Sequence, residues 1–74
     1  MQIEVELFGQ LLQDTQRRRT MTLKSAVTVQ EIADLLGLNL EEVGLIIING
    51  EQKDVQDLVS PGCRLCFFPH MTGG

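Results

Sequence analysis

Residues 28–37 read TVQEIADLLG. Val29, Ile32, Ala33 and Leu36 fall at i, i+3, i+4 and i+7 and form one apolar stripe on a short helix. Thr28 opens it. With Glu31 three residues on, it makes a capping box, the hydroxyl accepting from the N3 amide and the carboxylate reaching back to the Thr28 amide. Gly37 closes it, because glycine takes the left-handed conformation that ends a helix without steric penalty. One amphipathic helix needs an apolar surface to cover, so the flanking segments decide the fold.

Those segments read as strands. In MQIEVELF (1–8), Met1, Ile3, Val5 and Leu7 face one way, and Gln2, Glu4, Glu6 and Phe8 the other. Gly9 ends this strand, Leu11 and Leu12 cover a core edge, and QDTQRRRT (13–20) reads as a polar hairpin loop. A second strand follows with Met21 and Leu23 inward. Arg17, Arg18 and Arg19 could meet an acidic or phosphate partner. Three charges make a short run, so a solvated loop tip is the favoured reading.

Beyond the helix, NLEEV (39–43) offers a second cap at Asn39 and one short helical turn. Leu45–Ile48 is an apolar, β-branched run that predicts an interior strand, and Asn49-Gly50 is a strong hairpin-turn signal. A short return segment from Glu51 to about Val55 follows. Ser60-Pro61-Gly62 suits a type II turn. The last strand, CRLCFF (63–68), sets Cys63, Leu65 and Phe67 on one face and Arg64, Cys66 and Phe68 on the other. Leu65 and Ile47 are expected in the core. The order β-β-α-β-short β-β predicts an α+β domain: a mixed sheet of four to five strands with one main helix on one face.

The 74 residues suffice for one domain, and 43% hydrophobic content belongs to an ordered one. The formal charge of −4 argues against nucleic acid or an anionic membrane as partner, since both want a basic surface. No run approaches the roughly 20 apolar residues of a membrane span. The N-terminus lacks the basic and apolar regions of a signal peptide, so a cytoplasmic protein is expected. Cys63 and Cys66, three apart on a strand, point to opposite faces, which favours two unpaired thiols over a redox pair or half a zinc site. His70 is the one histidine, and no metal site is expected.

Residues 67–74 read FFPHMTGG. Pro69 cannot donate to a ladder and keeps Phe68 extended, so the sheet is expected to end near Phe68. The expected organisation is a domain at 1–68 and an exposed arm at 69–74: Pro69, His70, Met71, Thr72, Gly73 and Gly74. A Gly-Gly end is thin enough to thread a narrow channel. Its amides are open to main-chain hydrogen bonds, and its carboxylate is unhindered.

The β-β-α-β-β order with this arm resembles the ubiquitin-like β-grasp fold. FFPHMTGG resembles the Phe-Phe-Pro-Pro-x-Thr-Gly-Gly ending of the small subunit of molybdopterin synthase, in the MoaD/ThiS sulfur-carrier family. LFGQLL (7–12), EEVGLIIING (41–50) and SPGCRLCFFP (60–69) resemble further family segments. The sequence departs from the family at Pro61 and Cys63, and at His70, where the family has a second proline. His70 reads as an exposed polar residue on a mobile arm.

The resemblance implies a carrier with no catalytic side chain and no bound cofactor. An E1-like adenylating enzyme would use ATP to activate the Gly74 carboxylate. A sulfur donor protein would convert it to a thiocarboxylate. The large subunit of molybdopterin synthase would receive the arm and pass sulfur to a pterin precursor. A carrier for thiamine, the tungsten cofactor or another pathway stays open. So do a modifier conjugated through Gly74 and a plain interaction module. Phe8 and Phe68, facing away from the core on neighbouring parallel strands, are expected to form an exposed patch for partner docking, unless a crossing loop covers one of them.

Overall fold

The computed structural model describes residues 1–11 and 17–70. Five strands form one mixed sheet in the order β2-β1-β5-β3-β4: β1 (Gln2–Leu7), β2 (Arg18–Thr22), β3 (Val43–Ile48), β4 (Glu51–Lys53) and β5 (Arg64–Pro69). One helix, α1 (Val29–Leu36), lies across one face, and 3-10 turns sit at Gly9–Leu11 and Leu40–Glu42. The expected α+β, β-grasp architecture is the one observed.

α1 forms as its sequence dictates. Thr28 is extended at φ −80°, and its hydroxyl accepts from the Glu31 N–H at 3.2 Å. The Glu31 carboxylate accepts from that hydroxyl at 3.4 Å rather than from the Thr28 amide, so the capping box closes differently from the expectation. Two further first-turn amides are satisfied from outside the helix. Val29 N–H donates to Asp57 O and Gln30 N–H to Val55 O, which straps the 54–59 segment across the helix start. Gly37 closes the helix at φ 72°, donating to Ala33 O and Asp34 O. The stripe Val29, Ile32, Ala33 and Leu36 is buried.

The helix stripe packs on inward rows from three strands. Ile3, Val5 and Leu7 of β1, Leu65 and Phe67 of β5, and Ile46 and Ile48 of β3 are buried with it, along with Leu11, Leu23, Val59 and Cys63. β1 and β5 run parallel, pairing Val5 with Leu65 and Leu7 with Phe67. The type II turn at 60–63 feeds β5 into that register: Gly62 has φ 73°, and Cys63 N–H donates to Ser60 O at 3.2 Å.

Four expectations are corrected. Ile47 is half-buried on the face away from α1, while Ile46 and Ile48 turn inward. A continuous apolar run carries no alternation, so parity there is set by pairing: Ile46 with Phe67 and Ile48 with Leu65. Arg18 and Arg19 belong to β2 rather than a loop tip, because Arg18 stands opposite Glu6 and the cross-strand charges attract. β4 stops at Lys53, short of Val55. β5 runs through Pro69, which pairs with Val43 where a register shift between Val43 and Leu45 interrupts the ladder.

These faces assign costs to single changes. Leu65→Ala removes a fully buried side chain and is expected to cost about 2–5 kcal/mol in denaturant unfolding, enough to threaten a domain of this size. Ile47→Ala is expected to cost distinctly less, and equal losses for the two would overturn the assignment of faces.

Candidate functional site

The sheet face away from α1 is a continuous surface on which charged and apolar regions adjoin. On its β1–β5 portion Glu6 is only 6% exposed, although it points away from the core. The Arg64 guanidinium donates to its Oε1 at 2.6 Å, and Arg18 stands 3.6 Å from the same oxygen. The Arg64 hydrogen bond holds the Glu6 carboxyl below its ordinary value, aided by the charges of Arg18, Arg64 and Arg17 and opposed by burial. Cys66 is the register partner of Glu6. Burial pushes its thiol up, against the pull of Arg64, so it is not a reactive thiolate at neutral pH. Cys63 lies buried on the opposite face, and both thiols are free, as the strand geometry requires.

The same parallel register carries Phe8 beside Phe68. Their rings stack with centroids 4.4 Å apart and planes within 8°. The Arg17 guanidinium lies 5.8 Å from the Phe8 ring centre. Both rings face away from the core, but each is half-buried rather than exposed, because each covers the other. Beside them an apolar hollow of about 310 Å³ is lined by Gly44, Leu45, Phe68, Pro69 and His70.

This hollow marks the root of the arm. Pro69 is half-buried in β5 and packs against Gly9, where a Cβ would come within 2.8 Å of its Cγ. A Cβ on Gly44 would lie 2.8 Å from His70 Cα and 3.0 Å from Pro69 O, so that glycine is required by a close backbone approach. His70 is exposed but anchored. Its backbone N–H donates to Glu42 O at 3.3 Å, and its ring Nε2 lies 2.8 Å from Glu41 O. A carbonyl can only accept, so that nitrogen carries a proton. His70 is exposed as expected, but it is hydrogen-bonded to the Leu40–Glu42 turn, which the sequence reading did not foresee. Met71, Thr72, Gly73 and Gly74 lie outside the described residues.

The sequence reading missed the Glu6–Arg64–Arg18 cluster, whose members are far apart in the chain and polar as surface residues normally are. Gly44 did carry a signal. A lone glycine beside an apolar strand run marks a bulge or a close backbone approach.

The sequence profile of the family described as Mut7-C ubiquitin matches residues 1–73. The chain belongs to that family. Among solved structures, the fold of this Mut7-C ubiquitin domain is similar to SAMP1 from Haloferax volcanii, with a TM-score of 0.74 and 22% identity over the whole of both chains. It is also similar to a chain of the complex of subunits 1 and 2 of molybdopterin-converting factor from Helicobacter pylori, with a TM-score of 0.66 and 21% identity, again over both whole chains. No curated protein matches the sequence. The ubiquitin-like, MoaD-like fold is thereby established, and one of these structural neighbours is seen in complex with a partner subunit. Among the described residues, no helix is long and apolar enough to cross a membrane.

The lowered Glu6 pKa gives an acid-side signature. The unfolded chain binds this proton more readily than the folded one, so the stabilisation is complete above the ordinary carboxylate range. It is lost as pH falls through the depressed value. Glu6→Gln is expected to flatten the acid limb of the melting profile, with the stability lost relative to wild type greatest at neutral pH and vanishing as wild-type Glu6 protonates in acid. An unaltered acid limb in the variant would exclude Glu6 as its source.

Proposed function

We propose that this domain is a sulfur carrier whose Gly74 carboxylate is the reacting group, serving as the small subunit of a molybdopterin synthase. The observation that carries it is the anchored arm root: the chain leaves the sheet after Pro69, at His70, beside the stacked Phe8–Phe68 pair, on a fold similar to that of a molybdopterin-converting factor chain. The resemblance of FFPHMTGG to the carrier ending supports the same reading.

A bare carboxylate has no leaving group. An E1-like adenylating enzyme supplies one: a Gly74 oxygen attacks the α-phosphorus of ATP, and pyrophosphate departs. A hydrosulfide equivalent from a sulfur donor protein then attacks the acyl carbon, AMP leaves, and a thiocarboxylate remains. In the large synthase subunit the thiocarboxylate sulfur attacks an electrophilic side-chain carbon of the pterin precursor, the C–O bond there breaks, and the oxygen departs with a proton as the leaving group. Water cleaves the resulting thioester, which leaves sulfur on the pterin and restores the carboxylate. The carrier contributes no acid, base or metal ligand. Its part is to present an unhindered acyl group on a thin arm, so that the partner's site can close around it and exclude water.

Deleting Gly74, or appending one residue after it, is expected to abolish the mass gain of one sulfur for one oxygen after incubation with ATP, sulfur donor and adenylating enzyme. The melting curve should not move. Sulfur incorporation surviving both changes would end the carrier assignment, and an isopeptide-linked conjugate through Gly74 would favour a protein modifier instead.

The aromatic pair is the proposed docking anchor for the large subunit. Phe8→Ala and Phe68→Ala are each expected to weaken that complex by about 2 kcal/mol in titration calorimetry. The double variant should lose less than the sum, because the rings stack on one another. Unchanged binding with a large fall in melting temperature would make the pair purely structural.

A further inference from the structure

We propose, on the basis of the carrier function above, that His70 is a positioning residue that aims the reacting arm by fastening its root to two successive carbonyls of the Leu40–Glu42 turn. The backbone N–H of His70 donates to Glu42 O at 3.3 Å, and its ring Nε2–H donates to Glu41 O at 2.8 Å. Both the neutral Nε2–H tautomer and the imidazolium can make the ring contact, so the fastening does not depend on the charge of the ring.

Three further contacts make this a built arrangement. Gly44 lets the backbone of His70 approach so closely that a Cβ would lie 2.8 Å from His70 Cα and 3.0 Å from its nitrogen. Gly9, at φ 57°, lets Pro69 approach from the β1 side. Asn39 caps the turn that supplies the two carbonyls, accepting from the Glu41 N–H at 3.0 Å. The root is thus bounded by β1, by β3 and by the capped turn.

The resembled carrier ending has proline where this chain has His70. A proline stiffens the arm by fixing φ but has no N–H to give. His70 replaces that internal stiffness with two external hydrogen bonds, neither of which proline could form. Ordering a backbone costs conformational entropy, so a root fastened before the encounter spares the partner the cost of ordering it. The expected consequence is on capture of the arm rather than on the chemical step.

The test compares the full chain with His70→Ala and His70→Gln, the glutamine keeping an N–H donor at similar reach. Adenylation is followed by ATP–pyrophosphate exchange with the source organism's E1-like enzyme, and the His70 site by NMR. His70 is expected in the Nε2–H or doubly protonated form. The amide of residue 70 should exchange slowly in wild type and His70→Gln, and faster in His70→Ala. His70→Ala should raise the KM for the carrier about tenfold with kcat unchanged, the equivalent of one lost hydrogen bond, and His70→Gln should restore it. An Nδ1–H tautomer, an unchanged KM in His70→Ala, or equal impairment of both variants would overturn the role of the ring donor. Wild-type protein supporting no Gly74-dependent exchange would instead refute the carrier function, and the positioning role with it, even where the NMR contacts hold.

Discussion

The parallel pairing of β1 with β5 is the constraint on which the rest of the molecule depends. On the inner face it sets Val5 beside Leu65 and Leu7 beside Phe67, all fully buried under α1. A slip of one residue would send every one of these side chains to the other face, so core burial locks the register. The outer face then follows without further choice. Glu6 falls beside Cys66 and within reach of Arg64, Phe8 meets Phe68, and Gly9 meets Pro69.

That outer face is organised by compensation. Glu6 is buried among long side chains and would be costly alone, but two arginines satisfy it. Arg64 and Arg18 are half or more exposed, so their charge remains available at the surface. Across the sheet the surface becomes apolar at Leu45, Phe68 and Pro69. A partner meeting this face encounters positive charge, a stacked aromatic pair and the start of the arm in one footprint. Cys66 lies between these regions, and burial pushes its thiol up.

A carrier separates rigidity from reactivity. The described domain is held by one core and by the strap of residues 54–59 over the helix start. The proposed reacting group is covalently part of the chain, five residues past the end of β5 in sequence. Changes at the carboxyl group and changes in the core should therefore act independently, whereas changes at the arm root would join the two.

The sequence by itself determined the order of the elements and the ends that local chemistry marks. The stripe and caps of residues 28–37, the alternation of 1–8, and the turns at Asn49-Gly50 and Pro61-Gly62 all rest on interactions within a few residues, and each stands where it was expected. The likeness of FFPHMTGG to a carrier ending was equally local. The facing of Ile46, Ile47 and Ile48 was not legible, because three isoleucines in a row contain no period. Nor was the inclusion of Arg18, Arg19 and Pro69 in strands, since their propensities point elsewhere and only a paired neighbour overrides them. The clustering of Glu6, Arg18 and Arg64, the stacking of Phe8 on Phe68 and the anchoring of His70 join residues from different strands and turns. Tertiary structure alone decided these, because they exist only once strand register has brought distant parts of the chain to hydrogen-bonding distance.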